Sequence, residues 1–412
     1  MDDIQNNKLV LFGAGKIGRS FIGQLFSRGG YQVVFIDVFK PVIDEINSRK
    51  NYNVIIKADK DEVLNISNIR GVYAGDEDEV VNEVATAGIV AVSVGQNGLK
   101  QTFGLLAKGL IEREERFRNH PLDIIIAENM RNADEYFEAE LLKKLPVGFP
   151  FQQMVGLIET SIGKMVPIMK PEDINEDSLQ IFAEPYNSLI LNKKGFKNQI
   201  PDINGLAPKE NIKAWVDRKL FIHNLGHAVT AYIGFLYNPS FIYIYEALAV
   251  KEIYRFVESA MIQAAEILKK KYPGEFTDED LTNHIHDLLS RFQNKALGDT
   301  IFRVGCDLTR KLSAEDRLAG AIHLALEFNL PYDKILTALI AGFQFKATDH
   351  NRKMMETDED IIKAYENNII LGLIEVCGFS VSKQWTLFID AEIIKNDVTR
   401  IIAKKISLNS LL

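Results

Sequence analysis

A lysine, an asparagine and a histidine stand close together in the stretch Lys219-Leu-Phe-Ile-His-Asn224-Leu-Gly-His227. The apolar spacing around them is helical. At about 100° per residue, Asn224 lies roughly 140° from Lys219 and His227 roughly 80°, so the three polar groups share one side of a helix. Lys219 and His227 are still about 12 Å apart along the axis. The lysine stem must bend, or the helix must distort near Gly226, for all three to meet one substrate atom. Such a set suits metal-free oxidation of an alcohol. A partly desolvated lysine beside a cationic nicotinamide has a depressed pKa and comes into range as a general base. The amide N–H of Asn224 can stabilise oxyanion character on the reacting oxygen, and His227 can fix a neighbouring hydroxyl. Spacing alone favours a plainer alternative: a solvated lysine, a capping asparagine and a structural histidine.

A second cluster lies near the N-terminus. Gly13-Ala14-Gly15-Lys16-Ile17-Gly18 fits G-x-G-x-x-G, after an apolar run and at the start of an amphipathic one. Gly13 permits the tight turn, Gly15 lets a pyrophosphate approach the backbone, and Gly18 lets the helix pack closely. The free N–H groups at the start of the helix, around Lys16 and Ile17, then face the phosphates. Asp37 closes the next apolar run. A carboxylate there can accept both ribose hydroxyl protons and would repel a 2′-phosphate, so NAD is expected rather than NADP. Lys40 lies nearby and could in principle tolerate that phosphate. Ser93-Val94-Gly95 ends a further apolar run. Gly95 could let the nicotinamide half pass over the backbone, or it could be a simple turn glycine.

The elements that must position these residues differ between the two halves. Lys8–Phe12, Tyr31–Ile36, Gly88–Val94 and Leu122–Ala127 read as strands, alternating with helical stretches such as Ile17–Ser27. This alternation predicts a Rossmann-type, doubly wound α/β sheet. Met154–Ile168 and Leu179–Leu191 also look strand-like. Asn192–Pro208, rich in Lys, Asn, Gly and Pro, reads as an interdomain loop. Beyond it the pattern turns helical through Ile212–Leu236, Ile242–Lys271, Asp278–Phe292, Ala314–Phe328, Asp333–Ala347 and Asp358–Val376. The expected organisation is a dinucleotide-binding domain over residues 1–200 and a mostly α-helical catalytic domain over 201–412.

Composition removes several other classes. The 412 residues are 47% hydrophobic and 25% charged, ordinary globular values. The net charge of −8 makes a general nucleic-acid binder unlikely in physical terms, because such a surface repels polyphosphate. Two cysteines, Cys306 and Cys377, cannot build a disulfide framework or a four-cysteine zinc site. His284 and His286, at i and i+2, point to different faces of a helix; no metal is expected. No apolar run reaches the ~18 to 20 residues of a membrane span, and the N-terminus lacks the pattern of a secretory signal, so a cytoplasmic protein is expected.

Taken together, FGAGKIGRSFIG at 12–23, FIDV at 35–38, AENM at 127–130, RKLFIHNLGHAVTA at 218–231, RFQN at 291–294, RVG at 303–305 and RKLSAEDR at 310–317 resemble the polyol-specific long-chain dehydrogenase/reductase family. The resemblance runs through most of the chain. It implies a metal-independent, NAD-dependent oxidoreductase, acting as a monomer on a polyol or sugar phosphate. The first expectation is the pair mannitol 1-phosphate and fructose 6-phosphate. Lys219 matches the general base, Asn224 and Asn129 the two amides on the reacting oxygen, and His227 the substrate-orienting histidine. Asn129 also follows the apolar run Leu122–Ala127, which would place it at a strand C-terminus.

The chain departs from the family at informative places. Gly163-Lys164 stands where an Asp-Arg pair is common, Cys306 where the phosphate-acting branch usually has an arginine, and Ala319-Gly320-Ala321 where it has Ile-Lys-Pro. Either a phosphate is held by Lys164, Arg303, Arg310, Lys311 or Arg317, or the substrate is another polyol, ketose or uronate. A catalytically silent NAD-binding sensor is the alternative of another class.

Overall fold

The computed structural model describes residues 3–58, 60–402 and 408. It divides into two compact units, Met1–Val216 and Asp217–Leu412.

The first unit is built on an eight-stranded sheet. Its strands are β1 (Gln5–Phe12), β2 (Gln32–Asp37), β5 (Ile69–Tyr73), β6 (Ala87–Val92), β7 (Leu122–Ile126), β8 (Val155–Ser161), β10 (Leu189–Asn192) and β11 (Leu206–Lys209). The spatial order is β11-β10-β8-β7-β6-β1-β2-β5. All neighbours run parallel except the β8/β10 pair. Three further strands, β3 (Tyr52–Ile56), β4 (Glu62–Ile66) and β9 (Ile181–Ala183), form a small separate sheet. Side-chain alternation along β1 sends Leu9 and Leu11 into one apolar cluster and Val10 and Phe12 into another. The helices supply both clusters: Phe21, Ile22, Leu25 and Ile43 enter the first, while Val80, Leu99, Phe103 and Phe137 enter the second. Burial on both faces explains why the central strands are continuous apolar runs.

From β1 the chain moves to β2 on one side and later to β6 on the other. The topological switch point therefore lies between β1 and β6, where ligands bind at strand C-termini in such sheets. Register brings the ends level. Phe12 pairs with Ile36 and Val92, and Val92 pairs with Ile126. Gly13, Asp37, Ser93 and Ala127 thus leave the sheet together.

The second unit is helical. Helix Leu225–Tyr237 is its centre, packed against helices Lys251–Lys271, Ile301–Gly305 and Asp333–Gly342. Two of the expected helices are divided: Ile244–Leu248 and Lys251–Lys271 are separate, and Glu356–Tyr365 and Ile369–Glu375 are separate. No helix among the described residues is long and apolar enough to cross a membrane.

Three expectations need correction. The segment 192–208 is not simply an interdomain loop. It holds a 3-10 turn and the edge strand β11, and the buried Asp123 carboxylate pins it by accepting the Lys197 (2.8 Å) and Asn198 (3.0 Å) backbone N–H groups. The division between units accordingly falls after Val216 and not at 200. Residues 201–216 stay with the sheet: the Ser161 hydroxyl donates to the Trp215 carbonyl at 3.0 Å, and Lys213 pairs with Glu135 at 2.9 Å. Met154–Ile168 is strand only over Val155–Ser161.

Candidate active site

The glycine-rich turn is shaped by close backbone contacts. Gly13 has φ +100°, and a Cβ there would collide with the Ser93 carbonyl. A Cβ on Gly18 would collide with the Gly13 carbonyl, so this glycine closes the turn itself rather than only the helix-to-strand packing. Gly15 has no heavy atom within 4 Å of where its Cβ would lie. The space a pyrophosphate needs is open at that residue. Lys16 is exposed and Ile17 half-buried at the start of the helix. The helix then makes a π-helical turn over Gly18–Gly23, and Tyr52 donates its hydroxyl to the Arg19 carbonyl at 2.8 Å.

Asp37 braces this turn. Its Oδ2 accepts the Ala14 N–H at 2.7 Å and its Oδ1 the Phe39 N–H at 2.8 Å. Each carboxylate oxygen can accept a second bond, so room remains for ribose hydroxyls. Lys40 is turned to Asp44 at 2.9 Å. Gly95 has φ +71°, with nothing within 4 Å of its missing Cβ. Glycines open where a dinucleotide would lie, an acid at the second strand end and a helix N-terminus all fit an NAD site.

Two acids that the sequence reading passed over hold the neighbouring loop. Glu128 Oε1 accepts both the Val94 (2.7 Å) and Gly95 (2.9 Å) N–H groups. Glu159, on β8, accepts the Ala133 N–H at 3.1 Å. Burial pushes both carboxyls upward in pKa. Asn129 is exposed, in the loop after β7 as expected. The signal for Glu128 and Glu159 was available: each is an acid at or near the end of an apolar strand.

In the second unit, Lys219 opens a π-helical turn, Lys219–Asn224, between helices Ile212–Arg218 and Leu225–Tyr237. The helix does distort, one turn earlier than Gly226. The hydrogen-bonded pair of an α-helix is offset by about 40°; a similar offset for the i→i+5 pair of a π turn brings Asn224 to roughly 40–50° from Lys219 instead of 140°. Phe221, Ile222 and His223, between them, are buried. From Phe221 to Gly234 only Asn224 and His227 escape full burial. The polar face is the one the sequence singled out.

Lys219 is pushed down to about 8, first by burial and then by the positive charge of Arg317. Arg317, itself buried, donates to Asp316 Oδ1 at 2.7 Å and to the Asn224 carbonyl at 3.2 Å. Lys311 is buried too, donates to the Val304 carbonyl at 2.7 Å, and is held down to about 8 by burial and by Arg317. His227 stacks on Phe292 with centroids 4.0 Å apart. Burial, followed by the charges of Arg303, Arg317, Lys311 and Arg291, holds its pKa well below the ordinary value. Cations crowd this region, and it favours an anion.

The other expected anion ligands behave differently. Lys164 directs its ammonium to the Glu184 and Tyr186 carbonyls (3.1 and 2.6 Å) and to Asn187 Oδ1 (3.0 Å), which ties down the irregular chain after β8. An ammonium has three N–H donors, and three acceptors occupy them. A substrate-ligand role for Lys164 is therefore withdrawn. Arg310 lies at the surface between Asp307 (2.6 Å) and Asp316 (3.2 Å). Arg303 pairs with Asp299. Gly163, Cys306 and Gly320 do not supply the charges that their positions carry elsewhere in the family.

Two family models match the chain: the mannitol dehydrogenase Rossmann domain over residues 7–205 and the mannitol dehydrogenase C-terminal domain over residues 211–376. Mannitol-1-phosphate 5-dehydrogenases of two Buchnera aphidicola strains are 29% identical to it over 393 residues, which is 94% of this chain and 99% of theirs. Among solved structures, a Pseudomonas fluorescens mannitol 2-dehydrogenase ternary complex with NAD and D-mannitol superimposes with a TM-score of 0.74 at 16% identity, covering 98% of this chain and 94% of that one. A substrate-free D-sorbitol dehydrogenase gives 0.76 at 15% identity, covering 97% and 95%. With both models spanning nearly the whole fold, the chain belongs to the mannitol dehydrogenase family.

Proposed function

We propose that this chain interconverts mannitol 1-phosphate and fructose 6-phosphate with NAD(H), without a metal, using Lys219 as general acid and base. The observation that carries the reading is the Lys219 amine, lowered to about 8 at the opening of the π turn. In the oxidative direction Lys219 Nζ takes the proton of the substrate hydroxyl. The carbon–hydrogen electron pair leaves as hydride, and the carbon–oxygen double bond forms. The Gly13–Gly18 turn, Asp37 and the Gly95 turn would hold NAD, which would supply the hydride acceptor. Asn224 and Asn129 supply the amides that hold the reacting oxygen, and His227 orients a neighbouring hydroxyl. In reduction the Lys219 ammonium returns the proton to the oxygen.

A phosphate fits Lys311 and Arg317, with Arg303 beside them. One Lys311 N–H is directed to Val304, which leaves two donors, and the Arg317 Nη2 donors make no hydrogen bond among the described residues. The 29% relatives named for the phosphorylated substrate support the same choice. This reading is of a monomeric enzyme, following the family resemblance.

A second reading, an unphosphorylated polyol, another ketose or a uronate, rests on Cys306 and Ala319-Gly320-Ala321. A panel of sugar phosphates, free sugars and uronates, followed by NADH absorbance with NADPH in parallel, separates the two. Turnover confined to unphosphorylated substrates overturns the first reading. Tight NADH binding with no turnover on any of them would point to a sensor.

A further inference from the structure

His227 and Asp299 each leave one buried atom without a hydrogen-bond partner, His227 Nε2 and Asp299 Oδ2. These two atoms face each other at 3.7 Å. Closing that gap to the usual ~2.9 Å takes a shift of about 0.8 Å. Leaving both unmade strands two buried polar atoms away from water, which folded proteins rarely tolerate.

The surroundings fix which way the pair can be made. Asp299 is 3% exposed, and its backbone is anchored, with its carbonyl accepting the Ile244 N–H at 3.0 Å. Its other carboxylate oxygen, Oδ1, is held by Arg303. The His227 ring plane is held by the stack on Phe292, with an interplanar angle of 23°, and His223 meets it edge-on at 5.2 Å. Burial first, and then these cations, keep the imidazole neutral, so it carries one N–H. With the proton on Nδ1, the Nε2 lone pair would face a carboxylate oxygen in a dry place. With the proton on Nε2, the same contact is a charge-assisted hydrogen bond.

We propose that Asp299 is the positioning residue for His227: its carboxylate holds the imidazole as the Nε2–H tautomer, holds Arg303 with its second oxygen, and leaves Nδ1 as an acceptor for a substrate hydroxyl. The inference deepens the proposed function and rests on His227 as the residue that orients the substrate. It adds a direction. A histidine that only accepts reads a hydroxyl, not a carbonyl, so the group it touches stays an alcohol on both sides of the reaction. One carboxylate also couples two substrate-facing groups, so neither can drift without the other.

The test has two arms. In the first, Asp299→Asn is made in the native and the His227→Ala backgrounds, and kcat and KM for mannitol 1-phosphate are measured. The expected result is a loss of about 10–100-fold in kcat/KM in the native background, by analogy with the carboxylate partners of metal-ligating histidines. In the His227→Ala background the loss should shrink to a few-fold, from Arg303 alone. An equal loss in both backgrounds overturns the proposal, because a merely structural aspartate would act on both alike. In the second arm, ¹⁵N-histidine NMR of the native protein reads the tautomer directly and needs no turnover. A dominant Nε2–H form at His227 supports the pair. An Nδ1–H form, or a spectrum unchanged in a folded Asp299→Asn protein, refutes it. If no polyol phosphate is turned over, the functional reading fails while the spectrum still decides the pair.

Discussion

The pH dependence of turnover should report Lys219. Polyol oxidation needs the neutral amine. With a pKa of about 8, roughly one molecule in ten carries that form at pH 7; at the ordinary 10.5 it would be roughly one in 3,000. The environment therefore raises the base fraction about 300-fold near neutrality. The sign follows: oxidation should rise with pH and level off above about 8, whereas ketose reduction, which needs the ammonium, should fall through the same range. Burial is the larger cause of the depression and Arg317 the second. Arg317→Gln should therefore move the midpoint upward, yet leave it well below 10.5. The assay is the initial rate by NADH absorbance, from about pH 6 to 10, in both directions. The midpoint is read and not the height, because Arg317 also touches Asn224 and is a proposed phosphate ligand. Lys219→Ala should lose about 10²–10⁴-fold in kcat with NADH affinity unchanged. A limb that stays put in Arg317→Gln, or near-native rates without Lys219, would refute the assigned base.

Three further outcomes follow from contacts already described. Asp37→Ala should weaken NADH binding and narrow the preference over NADPH, measured by fluorescence titration of both; an unchanged ratio would remove Asp37 from the ribose site. Glu128→Ala leaves the Val94 and Gly95 N–H groups without their acceptor, at about 1–3 kcal/mol for each group that stays buried, and should lower both NADH affinity and kcat; a variant that changes only the melting temperature would make Glu128 purely structural. Lys311→Met should weaken competitive inhibition by inorganic phosphate by tenfold or more and raise KM for a phosphorylated substrate while sparing NADH affinity; unchanged inhibition would move the anion site elsewhere.

The first unit was legible because period and glycine position are local signals. A strand, a G-x-G-x-x-G turn and an acid at the next strand end are set by neighbours in sequence, and the register of β1, β2 and β6 then follows from matching buried runs. What the sequence hid was set by distant partners. Residues 192–208 read as a loop because Lys, Asn, Gly and Pro dominate. Asp123, some seventy residues earlier, accepts their backbone N–H groups and turns the segment into part of the sheet. Lys164 looked like a free charge because nothing local shows that the Glu184 and Tyr186 carbonyls converge on it. Asp299 carries no periodic signal, and only its place opposite His227 gives it meaning.

The lysine helix shows both sides of this at once. Counting at 100° per residue set Lys219 and His227 about 12 Å apart along the axis, and that mismatch was itself a prediction of distortion, expected near Gly226. The structure resolves it with an i→i+5 turn, a feature that costs hydrogen-bond geometry and recurs at functional sites. On the proposed function, the turn serves the chemistry of an amine held near 8 beside Asn224. If the amine and the amide need the π turn to reach one atom, deleting a single residue within it to restore regular α-geometry should abolish turnover. Much of the helical unit's stability should survive, because the bulk of its apolar contacts lie in Leu225–Tyr237 and its neighbours. Retained activity in such a variant, checked against its melting temperature, would return the helix to a structural role.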